Sequence, residues 1–124
     1  MTDLHHRISD AVADAISEAI TREMRPALEA AGMTREQAAR IVWRPSIDTV
    51  WTGFLLGRDM KLSGQVTDLD HEAAGKVVET AAELLGGTHP ITVAGGEFDG
   101  GVLITLETEA TIEDIPVTIW GRIG

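Results

Sequence analysis

A chain of 124 residues with 44% hydrophobic content is one globular domain with enough apolar material for a core, and its lack of cysteine excludes disulfides, thiolate metal sites, iron–sulfur clusters and a cysteine nucleophile. The formal net charge of −10 is uneven: residues 1–45 hold six bases and seven acids, and residues 46–124 hold four bases and thirteen acids. That imbalance argues against nucleic acid or an anionic membrane as the partner of the C-terminal part.

The first predicted element is a helix over about 3–31. Leu4, Ile8, Val12, Ile16, Ile20, Met24 and Leu28 recur every four residues, with Ala11, Ala15, Ala19 and Ala27 one step before. A four-residue repeat drifts about 40° per step against the 3.6-residue turn, so the stripe winds around the helix and needs partners on more than one side. Pro26 is expected to kink or restart the helix near Arg25, and Gly32 to cap it in a left-handed conformation. A short second helix opens with the capping box Thr34-Arg35-Glu36-Gln37 and is expected to end near Val42 or Trp43, before Pro45.

From Asp48 the pattern turns to strand. Residues 48–56 are rich in branched and aromatic side chains, residues 60–67 alternate, and Gly57-Arg58-Asp59 offers a turn between them. A helix over 69–85 follows. Thr67, Asp68 or Asp70 can cap its start, Ala74, Val77, Val78, Ala81, Leu84 and Leu85 form its apolar face, and Gly86-Gly87 stops it. Strands over 90–94, 102–112 and 115–123 complete the chain, with a Gly-rich loop at 95–101 and a hairpin closed at Glu113-Asp114. That closure sets Ala110 opposite Val117 and Thr108 opposite Ile119 on a buried face. It sets Glu107 opposite Trp120 and Thr105 opposite Arg122 on a wetter one. The fold class is therefore α+β: a helical arm over 1–45, then an acidic, mostly antiparallel five-stranded sheet domain over 46–124, covered on one face by helix 69–85 and forming one structural unit with the arm.

Candidate chemistry is sparse. Asp68, Asp70, His71 and Glu72 could ligate a divalent cation, but acids gather at helix starts because they cap amides and meet the positive end of the dipole. His5 and His6 are adjacent and diverge by about 100°, which is poor geometry for one ion. His89 is a loop residue. In the Gly95–Gly101 segment Glu97 and Asp99 would repel a phosphate, and a strand rather than a helix follows it. None of Ser9, Ser17, Ser46 and Ser63 lies in a nucleophile-elbow motif. Glu107 and Glu109 share a strand face at about 7 Å, a spacing that suits acid–base work and equally a solvated face. Residues 27–42 echo a helix-turn-helix with Arg35 and Arg40, diluted by Glu29 and Glu36.

The length of the first helix is the stronger functional signal, because about 40 Å of helix exceeds what a small sheet covers. The sequence therefore reads as a small acidic protein-interaction module without cofactor or metal. It is expected to form a homodimer through Leu4, Ile8, Val12, Ile16, Ile20 and Met24. Glu97, Asp99, Glu107, Glu109, Glu113 and Asp114 form a candidate acidic surface for a basic protein. The alternatives are an acidic inhibitor that mimics nucleic acid, a DNA-binding helix-turn-helix at 27–42, and an enzyme or metal-binding domain using acids 68–72 or 107–109. No run of about 18 apolar residues is present to span a membrane. Absent cysteine fits a reducing cytoplasm, and eight Arg to two Lys fits a GC-rich bacterial or phage genome.

Overall fold

The computed structural model describes residues 2–45, 60–98 and 101–124. The predicted strand at 48–56, its turn at 57–59, and Asp99-Gly100 lie outside the described residues. The chain runs α1 (Thr2–Ala30), α2 (Arg35–Ala39), β1 (Ile41–Pro45), β2 (Leu62–Val66), α3 (His71–Leu85), β3 (Ile91–Phe98), β4 (Gly101–Ile112) and β5 (Ile115–Arg122). The five strands among the described residues form one sheet in the order β1-β2-β5-β4-β3. Three neighbouring pairs are antiparallel, and β2 and β5 are parallel. The fold is α+β, as the alternating strands and the long leading helix predict.

Three local expectations are corrected. The first concerns the second helix, which stops at Ala39, and the apolar run Ile41-Val42-Trp43 is strand rather than its last turn. Branched and aromatic residues favour a pleated, half-buried surface, and Pro45 is tolerated because β1 is an edge strand. The second concerns α1, which passes through Pro26 without interruption and ends at the positive-φ Gly32. In the third, β3 continues beyond Ala94 to Phe98, with an irregular register between Ala94 and Glu97 where Gly95 and Gly96 sit. A bulge of this kind absorbs the glycines without ending the pairing.

Caps and turns follow from composition. Thr34 accepts from the Gln37 amide at 3.1 Å while Gln37 Oε1 accepts from the Thr34 amide at 3.2 Å, completing the capping box. Asp70 is the N-cap of α3, its carboxylate accepting from the Ala73 amide at 2.7 Å, and Gly86 ends the helix at φ 64. The β4–β5 hairpin has the predicted register, with Glu107 opposite Trp120 and Ala110 opposite Val117. Its two turn residues, Glu113 and Asp114, both have positive φ (48 and 70). This is the conformation a tight two-residue hairpin demands, here occupied by residues that resist it.

One face of the sheet carries the core. Ile41 and Trp43 from β1, Leu62 and Val66 from β2, and Val117 and Ile119 from β5 are buried there with Ala74, Val77, Val78 and Ala81 of α3. Trp43, Leu28, Ile41, Ile119 and Val78 are fully buried, each contributing on the order of 1.5–3 kcal/mol of apolar burial. Gly64 lies opposite Trp43 in the ladder, and a Cβ there would sit 2.9 Å from two indole carbons and 2.8 Å from Ile41 Cγ2. The glycine thus makes room for the indole. Trp43 Nε1 is buried with no hydrogen-bond partner among the described residues.

Two stretches of unpaired ladder are covered. Trp43 turns both backbone groups to the free edge of β1, where α1 meets them: Trp43 N–H donates to Thr21 Oγ1 at 3.1 Å, and Ser17 Oγ donates to the Trp43 carbonyl at 2.7 Å. The stretch of β4 beyond β3 is met by the loop after α3. There Thr88 N–H donates to the Glu109 carbonyl at 2.8 Å, and Thr108 Oγ1 donates to the Thr88 carbonyl at 2.7 Å. Capping an edge in this way removes a template for unwanted strand addition.

Candidate functional site

The attachment of α1 to β1 divides the helix in two. Its C-terminal half belongs to the core: Met24 is 6% exposed, Leu28 is fully buried, Thr21 is buried, and Ser17, Ile20 and Ala27 are half-buried. Residues 3–15 are all exposed. Leu4 and Ile8 are each 55% exposed and Val12 is 51% exposed, so three large apolar side chains stand in solvent on consecutive turns. A helix of 29 residues is about 44 Å long, and close to half of that length extends past the sheet edge.

The winding of the stripe explains the division. At about 100° per residue, Leu4, Ile8 and Val12, with Ala11, Ala15 and Ala19, occupy one arc of roughly 100°. Ser17, Ile20, Thr21, Met24 and Leu28 occupy an arc centred roughly 180° away. The first arc therefore faces away from the sheet that holds the second. No bend of the helix toward its own core can bury Leu4, Ile8 and Val12. Isolated exposed apolar residues are ordinary, whereas these three lie in register on one helix face and form a contiguous apolar strip.

Of the six residues predicted for an interface, Leu4, Ile8 and Val12 are thus presented to solvent. Ile16 and Ile20 are half-buried at the crossover, and Met24 lies in the chain's own core. Of the predicted acidic surface, Glu107, Glu109, Glu113 and Asp114 are described in full. Glu107 is half-buried and accepts a 2.7 Å hydrogen bond from Thr105 Oγ1. Glu109 is exposed further along β4, Glu113 and Asp114 are exposed in the hairpin turn, and the Glu97 side chain and Asp99 lie outside the described residues. Asp70 is occupied as a helix cap, Lys76 pairs with exposed Glu72 at 3.6 Å, and Asp68 takes a positive φ of 57 in the turn before the helix. Among the described residues no group of three or more His, Asp or Glu side chains could hold one metal ion. His5 and His6 stack edge-on at 6.1 Å on the exposed half of α1, and His89 borders a depression of about 430 Å³ that Glu79 and Glu83 also line.

A second surface feature lies on the sheet face away from α3. Trp120 Nε1 donates to Ser63 Oγ at 2.9 Å across the parallel β2–β5 pair. Together with Thr105, Glu107 and Thr118 these residues line an open depression of about 380 Å³. The sequence places Glu107, Thr105 and Trp120 on one face through the hairpin register. Ser63 joins them through a parallel pairing that no local pattern encodes. Likewise Ser17 and Thr21 carry no sequence sign of an edge-capping role beyond their i, i+4 spacing. No helix among the described residues is long and apolar enough to cross a membrane. Comparison with known proteins gives no match to a family model, a curated protein or a solved structure.

Proposed function

We propose that this chain is a small protein-interaction module that assembles as a homodimer through the projecting half of α1. The observation that carries this reading is the exposure of Leu4, Ile8 and Val12 on the helix face opposite the one α1 buries against β1. Each is an apolar side chain left about half in water, and covering it stabilises an assembly through the same area term that stabilises a core. Two-fold homodimers are the commonest closed assembly, and a single amphipathic helix supplies a self-complementary face for one. The C-terminal half of α1 serves as the mount: two hydrogen bonds to Trp43 and the burial of Met24 and Leu28 fix the direction in which the other half projects. Size-exclusion chromatography with light scattering tests the proposal. A mass of twice the 13.3 kDa chain supports it, and a 13.3 kDa particle across the micromolar range overturns it.

A further inference from the structure

We infer that the two copies pair antiparallel through α1, about a two-fold axis between Ala11 and Val12, with each large side chain seated on an alanine of the second copy. This rests on the homodimer reading and specifies its geometry. The outward arc runs Leu4, Ile8, Ala11, Val12 and Ala15, all exposed, and then half-buried Ala19, an order of spacings that reads the same from either end. Reversing one helix about its centre therefore sets Leu4 opposite Ala19, Ile8 opposite Ala15 and Val12 opposite Ala11 of the second copy. Every level of the seam then holds one large and one small side chain, which is how facing layers interdigitate at native density. In a parallel pairing Leu4, Ile8 and Val12 would meet their own copies at one end, and Ala15 and Ala19 theirs at the other. The seam would be crowded at one end and void at the other. Arg22 follows on the same arc and is exposed, so the apolar seam ends after Ala19, about 22 Å from Leu4. Because the arc faces away from the sheet, the two sheets lie on opposite outer sides of the helix pair and do not obstruct it.

Charge supports the same direction. Arg7, Asp14 and Glu18 are exposed along one edge of the arc, and Arg7 Nε donates to the Asp3 carbonyl of its own helix at 3.4 Å. Antiparallel helices bring like edges together, so Arg7 falls between Asp14 and Glu18 of the second copy, and the reverse pair forms by symmetry. A parallel pairing would set this edge against the one carrying His5, Ile16 and Glu23, which offers Arg7 no carboxylate at its level.

Directional cross-linking tests the register, since the chain has no cysteine and an introduced thiol is unique. Ile8→Cys and Ala15→Cys, both at exposed positions, are prepared separately, one with a mass tag, then mixed and mildly oxidised. The expected product is the mixed 8–15 disulfide, with neither variant cross-linking to itself, because like positions lie about 10 Å apart along the axis. Self-cross-linking of each variant, or a dimeric mass with no cross-link, overturns the antiparallel register and leaves the homodimer standing. A monomeric mass for the unaltered chain overturns both. A second variant bears on the charged edge: Arg7→Glu should weaken the dimer about tenfold at low salt, and mixing it with Asp14→Arg/Glu18→Arg should restore a heterodimer. An unchanged dissociation constant for Arg7→Glu overturns the pairing of these edges.

Discussion

Replacing Thr21 by valine isolates the attachment of α1 to the sheet. Valine matches threonine in shape, so the change removes one hydroxyl and leaves packing nearly intact. Thr21 is 9% exposed, and its Oγ1 is the acceptor for the Trp43 amide at 3.1 Å. Trp43 itself is fully buried, so water cannot replace that acceptor. The cost is the net hydrogen bond plus the desolvation of an orphaned amide, about 2 kcal/mol in total. For a domain of this size that corresponds to a fall of about 6–12 °C in Tm. Ser17→Ala removes the companion bond to the Trp43 carbonyl. Ser17 is half-buried, so its own hydroxyl keeps some hydration, and the expected cost, the net bond plus part of the desolvation of the buried carbonyl, is about 1–2 kcal/mol. The two changes share one residue, and their effects should depart from additivity. Urea unfolding followed by circular dichroism measures both, with an unchanged m-value indicating that the native state is otherwise intact. A Thr21→Val loss below about 0.5 kcal/mol would mean that the β1 edge does not depend on α1 for its polar groups.

Gly64→Ala should destabilise by about 1–3 kcal/mol, since the added methyl would overlap the Trp43 indole and Ile41 rather than a flexible chain end; thermal unfolding reads this, and a neutral result would show that the indole has room to shift. The hairpin turn is expected to respond in the opposite direction. Glu113→Asn with Asp114→Gly places residues that favour positive φ where both φ values are already positive, and should raise stability by about 1–2 kcal/mol; no gain would argue that the turn relaxes in solution.

The elements differ in how far local pattern determines them. Helix α3 carries its own boundaries, because Asp70 caps it, Gly86 stops it, and an apolar face of period 3.6 lies between. The β4–β5 register follows from a period of two and the place where the chain reverses, although Glu113-Asp114 is a poor turn sequence. Strand β1 is different. Ile41-Val42-Trp43 follows a capping box and is too short for periodicity to separate strand from helix; pairing with β2, a distant partner, decides it. The parallel β2–β5 contact, and with it the meeting of Ser63 and Trp120, depends on the whole sheet order. For the candidate site, the drift of the α1 stripe is written in the four-residue repeat. Which end of the stripe the domain buries is not, because that depends on Ser17 and Thr21 reaching the free edge of a strand more than twenty residues away.

The most direct measurement of the account is sedimentation equilibrium on the unaltered chain beside Leu4→Glu/Ile8→Glu/Val12→Glu. The three side chains are roughly half exposed, so covering them in both copies contributes on the order of 5–9 kcal/mol to association. Their replacement leaves the core untouched, and glutamate suits the first turns of a helix. A dimer is expected for the unaltered chain and a 13.3 kDa monomer for the variant, which keeps a folded circular dichroism spectrum while its Tm falls by the stabilisation that dimerisation supplied. A monomer in both, or a dimer that survives the triple substitution, would contradict that expectation.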